Sequence, residues 1–311
     1  MIYDVCVIGG GPAGLFAAYY SASRELSTLL LEAEPTLGGR INYFLDNPLY
    51  DLPGQFGITG RAYLQGLTEQ LAKSTVNTQL NQHVQSIHQL DALFHIKTQN
   101  QQFQARTVIS TTGHGIVKPK ILKAENIDAA ALAQLHYTFP KDMWQHAPQP
   151  IAIIGQTPMA AEWAMIFASK GFSPMMFTTK PLQLQPMLMD GLQEHLIPII
   201  ALDSVQKVRY KDGRFAFDQF ECRHAICAIG TVKKRIATPF RVLQQQNGLT
   251  SIDGYFIAGD ARLEDGKMKL IHGATHDAMQ AVNAAHQHLR PGSTYQPIVS
   301  SHHPIFKEWA K

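Results

Sequence analysis

The chain has 311 residues, 45% hydrophobic and 16% charged, which is enough to bury more than one core, so two domains are expected. Its formal charge of +3 comes without a dense Lys/Arg block, which argues against a nucleic-acid-binding surface and for small-molecule partners. No apolar run approaches a membrane span, and the apolar stretch after Met1 lacks a basic leader, while three cysteines (Cys6, Cys222, Cys227) cannot make a disulfide framework; a cytoplasmic protein is expected.

Tyr3 to Ile8 is short and almost continuously apolar, as expected of a parallel strand covered on both faces. It delivers the chain into Gly9-Gly10-Gly11-Pro12-Ala13-Gly14, a G-x-G-x-x-G. Ala13 to Ser23 has helix-compatible composition, and Thr28 to Leu31 is a second short apolar run ending at Glu32, so the unit reads βαβ. In such a unit Gly9 makes the tight turn, Gly11 lets the backbone approach a pyrophosphate and Gly14 lets the helix pack close to the strand. The helix N-terminus then faces the phosphates, and Glu32 stands where a carboxylate accepts hydrogen bonds from a ribose diol.

Further along, Ile151 to Ile154 reads as a strand followed by Gly155-Gln156-Thr157-Pro158-Met159-Ala160, and Pro174 to Thr178 as another ending in Thr179-Lys180-Pro181. Leu182 to Pro186 and Gln244 to Asn247 read as solvated surface. Cys222 and Cys227 sit in ECRHAIC, whose apolar pattern suggests buried core. Gly254 to Ala258 reads as a strand running into Gly259-Asp260, followed by a helix-like stretch from Ala274 to His288. An aspartate there binds a sugar-alcohol chain or caps the next turn. Two such regions at opposite ends of the chain imply one domain interrupted by another. His272 and His276 lie four apart beside Asp277 but lack further ligands, so no metal is expected.

GGGPAGLFAAYY, LLEAEPTLGGR, LYDLPG with the helix RAYLQGLTEQLAK, VISTTGHGIVKPK, GYFIAGDARLEDGKMKLI and the tail beginning YQP together resemble the thioredoxin-reductase-like ferredoxin (flavodoxin)–NADP reductases, within the FAD/NAD(P)-dependent pyridine nucleotide-disulfide oxidoreductases. The resemblance covers nearly the whole chain. It implies an α/β fold of two Rossmann-like dinucleotide-binding domains. Residues 1–112 and 248–311 would bind FAD, and residues 113–247 would form the inserted NAD(P)-binding-like domain. It also implies that Gly9, Gly11, Pro12, Ala13 and Gly14 meet the FAD pyrophosphate, Glu32 the adenosine ribose and Asp260 the ribityl chain, with Ala33, Gly39 and Gly259 beside them. Arg40 stands where the family usually has glutamine. Tyr50 matches the aromatic residue stacked on the isoalloxazine, Val84 and Val117 match positions lining the flavin through the backbone, and Ser301 matches a tail position covering it. The implied partners are an electron-transfer protein, ferredoxin or flavodoxin, or a small-molecule acceptor, and a second copy of the chain in a homodimer. No catalytic acid–base residue is implied, because hydride transfer to a flavin needs only apposition of two rings.

The chain also departs from this family. Thioredoxin reductases carry a C-x-x-C pair in the middle domain, and this sequence has none, so electrons are expected to leave the flavin for an external acceptor. Around Gly155 and Ala160 the family's other glycines are missing, and Lys180 stands alone where the family has a His-Arg-Arg cluster for the 2′-phosphate. Lys233, Lys234 and Arg235 are the alternative anchors for that phosphate. Two readings stay open: the middle domain binds NADPH or NADH weakly, or it is a vestigial fold and the flavin is reduced by another donor or acts as a sensor. In the tail Val299 replaces a histidine, with His302 and His303 close by.

Overall fold

A computed structural model describes residues 1–113, 115–122, 128–137, 140, 146–203, 208–217, 220–234, 236, 248–263, 266, 267, 269–293 and 304–309. The elements run β1 (Ile2–Ile8), α1 (Pro12–Ser23), β2 (Thr28–Leu31), β3 (Pro48–Leu49), β4 (Ile58–Thr59), α2 (Gly60–Ala72), β5 (Asn77–Gln79), β6 (Val84–Leu90), β7 (Leu93–Thr98), β8 (Gln102–Ser110), β9 (Ile116–Pro119), α3 (Ala129–Gln134) and β10 (Leu135–His136). They continue β11 (Pro150–Ile154), α4 (Pro158–Ser169), β12 (Ser173–Thr178), α5 (Pro186–Glu194), β13 (Ile199–Ala201), β14 (Arg209–Lys211), β15 (Arg214–Phe217), β16 (Phe220–Cys222), β17 (His224–Cys227), β18 (Thr231–Lys234), β19 (Tyr255–Ile257), α6 (Ile271–Leu289) and α7 (Pro304–Trp309). Contacts divide the chain into two units, Met1–Ile116 with Lys234–Lys311, and Val117–Lys233.

In the first unit β5, β2, β1, β8 and β19 pair in that order, all parallel, while β6 and β7 extend the sheet as an antiparallel meander on the first half of β8. The chain leaves β1 toward β2 and returns to β8 on the other side, so the carboxyl ends of β1 and β8 flank the point where the strand order reverses. Crevices at such points are where open α/β sheets bind ligands. The apolar run of β1 is explained by cover on both faces. Val5 and Val7 pack with Leu15 and Ala18 of α1 and with Ala278, Ala281, Val282 and Ala285 of α6, while Cys6 and Ile8 pack with Leu29, Phe94 and Ile96 on the other face. The alanines facing each other on α1 and α6 leave room for the close approach of the two helices.

The second unit repeats the plan with five parallel strands in the order β10, β17, β11, β12, β13, beside the antiparallel β14–β15–β16. Ile151 and Ile153 face α4 through Ala160, Ala164 and Phe167, and Ala152 and Ile154 face Phe177 and Phe215. In the stretch Leu182 to Pro186, expected to be solvated, Gln183, Gln185 and Pro186 are exposed, while Leu182 and Leu184 are half-buried against the α4 face. Gln244 to Asn247 lie outside the described residues.

Candidate functional site

The G-x-G-x-x-G is a tight strand-to-helix turn at the carboxyl end of β1, and its three glycines answer to different constraints. Gly9 has φ +108°, and a Cβ there would lie 2.7 Å from the carbonyl oxygen of Thr111, at the end of β8. At Gly14 a Cβ would lie 1.7 Å from the Gly9 carbonyl oxygen and 2.7 Å from the Thr111 hydroxyl. Gly11 differs: its φ of −74° and ψ of −177° suit any residue, and the nearest atom to an added Cβ is Gly39 Cα at 3.9 Å. Folding alone gives no reason for glycine at 11. Bare backbone facing open space is what a ligand lying against it requires.

The donors point the same way. Helix α1 starts with Gly11 as its N-cap and no side-chain cap, Pro12 has no N–H, and the first intrahelical bond runs from Leu15 N–H to the Gly11 carbonyl at 2.8 Å. The amides of Ala13 and Gly14 therefore have no intrahelical acceptor, at the positive end of the helix. Sequence reasoning missed Thr111, whose hydroxyl donates to the carbonyls of Ile8 (2.9 Å) and Gly9 (2.8 Å) and so ties the turn to the neighbouring strand. Threonines are common after strands, and only the topology places this one beside the loop.

Other predicted residues gather around this turn. Glu32 is buried, and its two carboxylate oxygens accept the amides of Gly10 (2.5 Å) and Glu34 (2.8 Å), bracing the loop while keeping further lone pairs. Ala33 is half-buried after it. Gly39 faces Gly11: a Cβ on it would meet Gly11 Cα at 3.0 Å. Next to Gly39, Arg40 reaches Asp260 with Nη1 to Oδ2 at 3.7 Å, linking residues 220 positions apart. Gly259 (φ +69°) lies against Ala13, whose Cβ would sit 2.9 Å from one added at Gly259. Tyr50, directly after β3, is 63% exposed and packs on Phe56 with ring centroids 5.2 Å apart, so its ring is available to a planar partner. Val84 is buried in the core, leaving only its backbone to face a ligand. Val117 falls in β9, and its side chain lies outside the described residues, as do Val299, Ser301, His302 and His303 altogether.

The second loop is built differently. Gly155 has φ +146° and a Cβ would sit 2.3 Å from the Ala228 carbonyl oxygen, so this glycine is needed for packing against the end of β17. Thr157 is the N-cap of α4: its side chain accepts the Ala160 amide at 3.2 Å and its hydroxyl donates to the Ala228 carbonyl at 3.1 Å. The Ala160 amide also bonds the Thr157 carbonyl at 3.0 Å, and Pro158 has no N–H. At the start of α4 the Ala160 amide is thus engaged within the loop and Pro158 offers no donor. Ala160 itself is fully buried, and Thr179 and Lys180 are exposed. Lys233 and Lys234 fall in β18 with side chains outside the described residues, and Arg235 lies outside them altogether.

Cys6, Cys222 and Cys227 are free and buried. Burial pushes the Cys222 thiol up to about 12 and the Cys227 thiol up to about 11, so neither is a thiolate near neutrality. His272 and His276 are exposed, and Asp277 is buried against Arg262 and Lys267. Among the described residues no group of three or more His, Cys, Asp or Glu could hold a metal ion, and no helix is long and apolar enough to cross a membrane.

The family model described as "Pyridine nucleotide-disulphide oxidoreductase" matches residues 3–287. The chain belongs to this family. It is an FAD-dependent oxidoreductase with two Rossmann-type units. Among curated proteins it is similar to ferredoxin–NADP reductase 1 of Bacillus mycoides, 29% identical over 99% of this chain and 95% of that one. It is equally similar to ferredoxin–NADP reductase 2 of Bacillus subtilis, 29% identical over 96% of each. Among solved structures, the thioredoxin reductase of Lactococcus lactis has the same fold, with a TM-score of 0.71 at 24% identity over 92% of this chain and 99% of that one.

Proposed function

We propose that this chain holds FAD at the first loop and passes electrons between it and a ferredoxin- or flavodoxin-class protein, or a small-molecule acceptor, with no redox disulfide of its own. The observation that carries the reading is Gly11, a glycine the fold does not need, beside unspent helix amides. Gly9, Gly11, Pro12, Ala13 and Gly14 take the pyrophosphate, Glu32 and Ala33 the adenosine ribose, Gly39, Arg40, Gly259 and Asp260 the ribityl side, and Tyr50 the ring. Val84, Val117 and Ser301 complete the lining. FAD supplies the redox chemistry, and the chain's part is to bind and orient it. Residues 1–112 with 248–311 form the FAD domain and residues 113–247 the nucleotide-type domain of a cytoplasmic homodimer. The relatives named as ferredoxin–NADP reductases support the acceptor class, and the buried, protonated Cys222 and Cys227 support transfer without a disulfide.

A second reading is favoured by the Thr157 cap: the second unit keeps its fold but makes no productive NAD(P)H complex, and the flavin receives electrons from another donor. The purified protein should be yellow, and Gly11→Val should fold but stay colourless; a wild-type protein that takes up no added FAD would end the first reading. Anaerobic mixing of the yellow protein with NADPH, NADH or a reduced ferredoxin separates the donors. Fast bleaching by either nucleotide eliminates the second reading.

A further inference from the structure

The Gly259–Asp260 turn is held by a buried ion cluster that FAD binding, as proposed above, does not use directly. Gly259 donates its N–H to Asp277 Oδ2 at 3.2 Å, and its carbonyl accepts Lys267 Nζ at 2.5 Å. Lys267 Nζ is also ion-paired with the same Asp277 oxygen, and Arg262 Nη1 donates to Asp277 Oδ1 at 2.8 Å. The side chains are 12% exposed for Lys267 and 7% for Asp277 and Arg262. Both polar groups of one glycine are therefore gripped by the two halves of a single ion pair.

Burying two cations and an anion is a poor route to stability, since apolar side chains of similar size usually do as well or better. Gly259 opens a single 3-10 turn in which its carbonyl also accepts the Arg262 N–H at 3.0 Å, and a glycine at φ +69° next to a functional carboxylate is fixed further by side chains from outside that turn. We propose that Lys267 is a positioning residue: with Asp277 it clamps Gly259 and so holds Asp260 in the orientation in which it meets the FAD. The inference rests on the FAD reading. Lys267 acts through Asp260, on which Arg40 closes from the other side at 3.7 Å.

The test is a double-mutant cycle on FAD affinity, read by flavin fluorescence on full-length protein with folding checked by far-UV circular dichroism. Lys267→Met should weaken FAD binding about tenfold or more, as loss of a charged hydrogen bond implies, and Lys267→Arg should recover most of it. In an Asp260→Ala background Lys267→Met should change affinity less than about twofold, because the group it positions is gone. Should Lys267→Met not fold, Lys267→Gln, which keeps a donor for the Gly259 carbonyl without the charge, enters the same cycle. A yellow Lys267→Met (or Lys267→Gln) protein with wild-type affinity, or losses that simply add to those of Asp260→Ala, overturns the clamp. A wild-type protein that takes no FAD defeats the underlying reading instead.

Discussion

The two glycine loops of this chain stand on the same strand–turn–helix plan and spend their hydrogen bonds in opposite ways. In the first unit the stabilising hydroxyl comes from the neighbouring strand, as Thr111, and satisfies the loop's carbonyls; the amides that open α1 are left over. In the second the hydroxyl comes from the loop itself, as Thr157, and it consumes the Ala160 amide while bonding the neighbouring strand's Ala228 carbonyl. A helix N-terminus attracts anions only through donors and dipole left unsatisfied. The comparison teaches that one strand–turn–helix plan can place its threonine in two ways: on the neighbouring strand, as Thr111, it takes only carbonyls, and in the loop, as Thr157, it caps a helix amide.

The largest effects should come from asking each glycine why it is there. Gly14→Ala drives a methyl to within 1.7 Å of the Gly9 carbonyl, and no soluble, folded protein is expected. Gly11→Ala meets nothing nearer than 3.9 Å, so its melting temperature should stay within a degree or two of the apo wild type while FAD binding falls at least tenfold. If Gly11→Ala lost stability and kept FAD, the distinction between a folding glycine and a binding glycine would collapse. Gly155→Ala is the counterpart in the second unit. It strains a backbone at φ +146° and presses on the Ala228 carbonyl at 2.3 Å, so it should destabilise by about 2–4 kcal/mol in denaturant melts without changing FAD content.

Much of this contrast was legible in the residues. The strand expected over Ile151–Ile154 and the glycine-poor loop after it are there, and so are β1 to β2 with their G-x-G-x-x-G. The regular elements were readable because apolar runs covered on both faces and alanine-rich helices are local patterns. What sequence could not supply was the identity of partners from distant segments: Thr111 for Gly9, Lys267 and Asp277 for Gly259, and Arg40 for Asp260. Nor does sequence show that the Ala160 side chain lies in the core and that its amide bonds Thr157.

Smaller effects should sharpen the account of the second loop. Thr157→Ala removes both the cap on the Ala160 amide and the bond to Ala228, and should cost about 1–2 kcal/mol. The same change takes away one of the two acceptors of the Ala160 amide and leaves it the Thr157 carbonyl. If the cap is what excludes a pyrophosphate, Thr157→Ala should reduce flavin faster than the wild type at equal NADH or NADPH. Neither nucleotide should be strongly preferred, because Lys180 provides no forked anchor for a 2′-phosphate. A strong NADPH preference in the wild type, at low micromolar concentration, would break the comparison by showing that the closed loop is no barrier.

The smallest expected effect lies at the other end of α1. Its N-terminus carries no side-chain cap, but its C-cap residue, Arg24, donates Nη2 to Nδ1 of the buried His286 on α6 at 3.2 Å, and Ser293 Oγ lies 3.1 Å from the same nitrogen. A nitrogen accepting from a guanidinium carries no proton, and burial, followed by the charges of Arg24 and Arg290, lowers the His286 pKa from its ordinary 6.5. The unfolded chain therefore binds a proton at this residue below pH 6.5 that the folded chain resists. Stability falls as pH drops through that value toward the lowered pKa, with a slope of at most about 1.4 kcal/mol per pH unit. His286→Gln keeps an acceptor for Arg24 but cannot titrate, so the difference between wild type and variant in denaturation midpoints from pH 7.5 to 5 isolates this group from the other histidines. The wild type should lose its advantage as the pH falls. A gap that stays constant across the range would mean that His286 does not hold Arg24 through a neutral ring, and that the first helix is anchored to α6 by its alanine packing alone.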